Sequence, residues 1–208
     1  MSTVLSIMAP QIIALLGSPR PKGNTAKLMN EAVRGVCDAG CEVEIVSVPK
    51  LKFSPCKEIF YCQEHATCAI KDDVTPYFEK FRDIDGLIVA TPVMTMGIPG
   101  ALKSFMDRFQ VFFMAKYFRK EPLVIPEKKA HRRTLLLSIG GMNIENDFDG
   151  VILSMKAFCD IIDCPYWDEV LQNNMDGVID ITTRPDVMKA AYDKGYHMGE
   201  LIVRDMAE

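Results

Sequence analysis

The chain has 208 residues, 49% of them apolar and 25% charged, with seven cysteines and a formal net charge of −4. That length suits one domain, 1–208, able to bury roughly 70% of its unfolded surface without staples. The totals argue against an integral membrane protein, because no apolar run reaches the roughly 20 residues a span needs, and against the strong basic field of a nucleic-acid binder. An odd cysteine count in a chain with a full core argues against a secreted disulfide scaffold and for a reducing, cytoplasmic location.

Residues 1 to 16 are apolar enough to suggest an export signal, but no Lys or Arg precedes the run and Pro10-Gln11 splits it. They read instead as a short tail leading into a buried strand at 11 to 16, "QIIALL". A first helix follows from Asn24-Thr25, residues suited to an N-cap, with Leu28, Ala32, Val33 and Val36 at helical spacing. A second strand is expected at 42 to 48, a second helix from Asp72-Asp73 to about Arg82, and a third strand at 86 to 90. Pro99 opens a third helix, with Ala101, Leu102, Phe105, Met106 and Phe109 on one face. Strand four is placed at 134 to 139, a helix at 147 to 160, strand five at 161 to 171 and a last helix at 184 to 204.

Apolar runs alternating with amphipathic stretches indicate strand–helix–strand units around a parallel sheet. Two connections are long for such a fold. Residues 49 to 71 carry Cys56, Cys62 and Cys68, and residues 111 to 131 carry Phe112, Phe113, Met114, Tyr117 and Phe118. The second is expected to extend the third helix against its own domain, or else to form a subunit interface or a lid. Cys37, Cys41, Cys159 and Cys164 read as core residues. His65, His131 and His197 lie in unrelated segments and read as surface residues, so no catalytic side-chain set is nominated.

The stretch "GSPRPKGNT" at 17 to 25 joins the first strand to the first helix, at the sheet edge where such folds bind ligands. A helix start offers free N–H groups and a positive dipole end, which suit a phosphate. Gly17 and Gly23 allow close approach, Ser18, Asn24 and Thr25 offer side-chain hydrogen bonds, and Arg20 adds a charged fork. The spelling is not that of a mononucleotide P-loop, which needs Lys and Ser or Thr after its last glycine. Nor is it the dinucleotide fingerprint G-x-G-x-x-G.

Four segments, "GSPRPKGNT", "CAIKDD" at 68 to 73, "DGLIVATPVMTMGIPGALKSFMDR" at 85 to 108 and "SIGG" at 138 to 141, together resemble the flavodoxin-like NADPH-dependent FMN reductase family, in its branch related to iron–sulfur flavoproteins. The resemblance implies a flavodoxin-like three-layer α/β sandwich with a five-stranded parallel sheet of order 2-1-3-4-5. It implies bound FMN, NAD(P)H as co-substrate, and homodimers or homotetramers. By position, Ser18, Arg20, Asn24 and Thr25 are expected to hold the FMN phosphate. Thr91, Pro92, Val93, Met94, Thr95, Met96 and Gly97 are expected along the isoalloxazine ring, and Ser138, Ile139, Gly140 and Gly141 at its pyrimidine side. Met94 stands where many relatives have an aromatic residue.

The activity so implied is an FMN-dependent NAD(P)H oxidoreductase that passes electrons to a quinone, flavin or other small acceptor. The alternative is an FMN electron-transfer flavoprotein of the iron–sulfur type, fed by a protein partner. In that branch the cluster motif is C-x2-C-x2-C followed by a fourth cysteine, and here Ile59 stands at the second position. One thiolate short of four, the loop is not expected to hold an iron–sulfur cluster. A zinc site using Cys56, Cys62, His65 and Cys68 is the other metal reading, and thiols that are buried or redox-active without metal the third.

Overall fold

The computed structural model describes residues 9–207. The tail expected at residues 1 to 8 lies outside them. The apolar run of β1 (Gln11–Leu16) occupies the middle of the sheet, beside β3 (Gly86–Pro92) and then β4 (Arg133–Ile139). All three are buried along almost their whole length, as strands covered on both faces must be. β2 (Glu42–Ser47) and β5 (Tyr166–Gln172) take the edges and are only partly buried. Every pairing is parallel and the order is β2-β1-β3-β4-β5, the flavodoxin-like arrangement expected. The strand order reverses between β1 and β3, which opens a crevice at their carboxyl ends.

α1 (Asn24–Asp38) and α7 (Pro185–Asp205) cover one face, packing Leu28, Ala32, Val36, Met198 and Ile202 against Ile12, Ala14 and Leu135. α2 (Thr75–Asp83), α3 (Gly100–Asp107), α4 (Gln110–Phe113) and α6 (Asp149–Ile161) cover the other. Their core is aromatic: Phe81 and Phe109 meet with centroids 4.6 Å apart, and Phe158 stands edge-on to Phe109 at 5.3 Å. Such pairs contribute about 0.5–1.5 kcal/mol each beyond their buried area. A short helix, α5 (Pro126–His131), leads into β4. Between them Arg132 is 2% exposed and donates to Phe81 O, Arg82 O and Ile162 O, the carbonyl ends of α2 and α6. Its charge meets two negative helix termini instead of a carboxylate.

Several expectations need correction. β5 begins at Tyr166 and not at 161, because α6 runs to Ile161 and Asp163, at φ 51°, turns the chain. α2 begins at Thr75: the acids before it serve the preceding loop, Asp72 Oδ1 accepting from Val74 N at 3.1 Å. Cys37 lies on the outer face of α1 and is exposed, whereas Cys41, Cys159 and Cys164 are buried. Burial pushes those three thiols up to about 11, 12 and 11 respectively. His131 is not a surface residue; it is 8% exposed, with Nε2 2.8 Å from the buried Asp85 carboxylate. The segment from 111 continues α4 as a π-helical turn, Met114–Arg119, that ends at Lys120 with φ 60°. Val111, Phe112, Met114 and Ala115 bury against their own domain, while Phe118 is 61% exposed.

Candidate functional site

Four loops at the carboxyl edge of the sheet meet in one cleft, those after β1, β3, β4 and β5. The first, 17 to 23, leaves β1 through Gly17, whose N–H donates to Ala90 O at 2.8 Å. Ser18 Oγ accepts from Arg20 N at 3.2 Å, and Gly23 N donates to Arg20 O at 3.0 Å, so the segment curls on itself before α1. The cap residue is Gly23 and not Asn24, and it offers no side-chain cap. The N–H groups of Asn24, Thr25 and Ala26 therefore have no acceptor among the described residues, as a first turn dictates. No acid occupies that turn to oppose its positive end from within the helix.

Asn24 contributes its backbone rather than its amide. Its Oδ1 accepts from Ile181 N at 3.1 Å and its Nδ2 donates to Val178 O at 3.5 Å, tying the loop after β5 to the start of α1. Lys27 reinforces this with a 2.6 Å pair to Asp180, whose carboxyl is drawn down to about 2 by Lys27 and the Thr182 N–H. Thr25 is buried with its hydroxyl making no hydrogen bond to another described residue, and Arg20 is exposed at the mouth.

The second loop follows β3. Val93 N donates to Ile139 O at 2.8 Å, and Met94 and Gly97 exchange hydrogen bonds of 2.8 and 3.1 Å around a two-residue turn. The turn residues Thr95 and Met96 have φ of 50° and 59°, the left-handed pair a type I′ turn requires. It rests on α6 at Gly150, where a Cβ would stand 2.1 Å from Met96 O. The third loop follows β4. Gly140 N is committed to Gln172 O at 2.9 Å, and the carbonyls of Gly140 and Gly141 accept from Met175 and Asp176. Gly141 keeps its N–H free among the described residues.

Of the expected residues, Ser18, Arg20, Asn24, Thr25, Pro92, Val93, Met94, Ile139 and Gly141 line this cleft together. Thr91 and Ser138 lie beneath it, fully buried, with Ser138 Oγ donating to Thr91 O at 3.1 Å and locking the ends of β3 and β4. Gly140 stands behind Gly141, and Thr95, Met96 and Gly97 form the turn outside the lining. The sequence reading missed Met175 and Asp176, which line the cleft from the loop after β5, and Asp147, buried behind Gly140. The polar run "QNNMDG" at 172 to 177 was the available signal, since it directly follows a strand at the same edge.

The cysteine loop is a second feature of this edge. Arg108, 0% exposed at its side chain, pairs with Asp72 at 2.6 Å and donates to Ser54 O and Ile70 O at 2.9 and 3.0 Å. Lys52 N and Asp73 close the neck below, at 2.6 Å. Burial alone raises the Asp72 carboxyl, but the Arg108 guanidinium and the N–H groups of Ser54 and Val74 outweigh it and hold that carboxyl below its usual range. Cys56, Cys62 and Cys68 line one apolar cavity with Met114 and Gln110, and burial raises the Cys62 thiol. Ile59 is 57% exposed, with Glu58 and Phe60 on either side at φ 50° and 60°. His65 stacks on Tyr61 at 3.7 Å with Nδ1 against Tyr61 O. Among the described residues no three of His, Cys, Asp and Glu converge to hold a metal ion.

Residues 10–142 match the model of the NADPH-dependent FMN reductase family. Among curated proteins the chain is 38% identical over 98 residues to an iron–sulfur flavoprotein of Methanocaldococcus jannaschii, covering 47% of this chain and 51% of that one. It is 36% identical over 106 residues to an iron–sulfur flavoprotein of Archaeoglobus fulgidus, covering 51% and 54%. The chain thus spans about half the length of the curated relatives it matches. Among solved structures, the NAD(P)H:quinone oxidoreductase from Methanothermobacter marburgensis superposes with a TM-score of 0.67 at 17% identity, covering 92% of this chain and 96% of that one, a likeness of fold. With three loops of one cleft falling inside the matched residues, the chain belongs to the NADPH-dependent FMN reductase family.

Proposed function

We propose that the protein is a single-domain cytoplasmic oxidoreductase that holds FMN in this cleft and moves hydride from NADPH or NADH to a small acceptor such as a quinone or free flavin. One observation carries the reading: three consecutive free N–H groups open α1 with no acid in the first turn, across the same cleft from Met94 and Gly141. Bound FMN supplies the hydride chemistry, and the chain's residues position it. The amides of Asn24, Thr25 and Ala26 take the phosphate dianion, with the Thr25 hydroxyl and the Arg20 fork as charge-assisted donors. The Ser18 hydroxyl, already an acceptor from Arg20 N, keeps its proton for the same anion.

Val93 and the 44%-exposed Met94 give the ring an apolar, polarisable flank. The free Gly141 N–H serves the pyrimidine edge as a donor aimed where charge develops. No side-chain nucleophile is needed, because the hydride chemistry belongs to the flavin. With three thiols and Ile59 in the cysteine loop, the reading takes electrons from the flavin directly to the acceptor. The assembly expected is a homodimer or homotetramer, and the exposed Ile59, Phe60 and Phe118 supply apolar surface for it.

The test is the visible spectrum of protein purified without added flavin, or loaded with FMN, followed by anaerobic NADPH. Flavin bands that bleach support the reading. A bound flavin left oxidised by NADPH and NADH alike removes the reductase activity and favours the carrier fed by a protein partner. No helix among the described residues is long and apolar enough to cross a membrane, so the assay needs no lipid.

A further inference from the structure

A buried carboxylate oxygen without a hydrogen-bond partner demands a reason. Asp147 is 1% exposed, and its Oδ2 has no partner among the described residues. It lies on the segment joining β4 to α6, pressed into the space above Gly140: a Cβ there would stand 1.7 Å from Oδ2. Asp176 stands in the same relation to Gly141, 2.1 Å from a Cβ at that position, but is exposed and lines the cleft. Two acids thus bracket the glycine pair at the expected pyrimidine side. No Lys or Arg forms an ion pair with Asp147 among the described residues.

The neighbouring elements leave Asp176 as the charged group acting on Asp147. The turn at 91 to 97 has no titratable side chain, Glu145 and Asp149 on Asp147's own segment are exposed, and Arg20 and Lys22 are exposed on the loop after β1. Burial, and then the Asp176 charge, push the Asp147 carboxyl above its ordinary value.

We propose that Asp147 is a positioning residue for the flavin's redox balance: its protonated carboxyl stabilises, across the Gly140–Gly141 backbone, the negative charge that the pyrimidine edge gains on reduction. The proposal rests on the FMN reading above. A hydride would bring two electrons and one proton, so a bound flavin would carry one more negative charge after reduction than before. An ionised Asp147 repels that charge and a protonated one does not, so reduction raises the affinity of Asp147 for a proton, taken from solvent. Between its affinities in the oxidised and reduced protein, each two-electron reduction therefore takes up one extra proton. Below that window the carboxyl is protonated in both states, and above it ionised in both.

The experiment is a spectroelectrochemical titration of the FMN-loaded protein, Asp147→Asn and Asp147→Ala across the pH range in which the protein stays folded. The native protein is expected to show a steeper fall of midpoint potential within the window. Asn, which donates but does not ionise, removes the break and keeps the higher potential at the alkaline end; Ala lies below Asn throughout. Parallel lines for the native protein and Asp147→Asn overturn the proposal. Should neither variant fold, a native line without any change of slope overturns it equally. Quenching of FMN fluorescence by the native protein is measured first. Failure to bind sinks the FMN reading itself, whereas normal binding with parallel potentials sinks only the role of Asp147.

Discussion

The cleft and the cysteine loop share one edge of the sheet but are built from different material. The cleft is made of backbone: the amides opening α1, the free N–H of Gly141, and a turn fastened by the Met94–Gly97 bonds. The cysteine loop depends on side chains, with thiols inside and one buried Arg108–Asp72 pair at its neck. A backbone site survives changes of sequence as long as its glycines and turns remain. A four-thiolate site needs each of its ligands, and the expected second position of the cysteine loop is held by Ile59.

The largest effect that would sharpen this contrast is expected at the neck. Arg108→Met leaves Asp72 and two carbonyls without their partner, and should cost about 3–5 kcal/mol in urea unfolding, as for a broken buried pair. Its pH dependence has a definite sign. The folded Asp72 carboxyl lies below its unfolded value of about 4, so the pair's contribution is complete above about pH 4 and fades as pH falls through the folded value. The gap between native and Arg108→Met should narrow there; a constant gap down to acid unfolding would place the stabilisation elsewhere.

Next comes Gly150→Ala, which drives a Cβ to 2.1 Å from Met96 O and displaces the turn beside the ring. FMN affinity by fluorescence titration should fall roughly 10- to 100-fold, about 1.4–2.8 kcal/mol. Fold stability should change less, because alanine favours the helix by about 1 kcal/mol. Unchanged affinity would break the view that backbone fit makes the site. A smaller contrast is expected between Arg20→Ala, about tenfold weaker for FMN, and Lys22→Ala, within about twofold, since only Arg20 lines the cleft.

The smallest effect on stability belongs to Ile59→Cys, within about 0.5 kcal/mol for an exposed side chain. Its interest is compositional. After anaerobic reconstitution the native chain should hold no stoichiometric iron and sulfide, and the variant, with a fourth thiol, should hold both. Stoichiometric iron in the native chain would erase the contrast between the two regions.

Five strands, the fifth with its start misplaced, and the cleft's position were legible because apolar runs and the spacing of "GSPRPKGNT" are local properties, whereas the sheet order came with the family resemblance. The roles of particular polar groups were not. Asn24 turned out to bind the Val178–Ile181 loop, Ser138 to lock two strands, and His131 to meet Asp85, all through partners more than 40 residues away. Asp147 and Asp176 escaped notice for the same reason: what makes them notable is their approach to Gly140 and Gly141, which periodicity cannot express. Helix starts erred by a few residues where acids served loops, as at Asp72.

The closed neck at residues 52 to 54 and 70 to 73 has a consequence for engineering. The stem is held by Arg108 and two aspartates, while Cys62 and Cys68 between its ends pack against the aromatic core beneath. A foreign peptide grafted between Pro55 and Ala69 would therefore inherit the pedestal but would have to replace the packing of those two side chains.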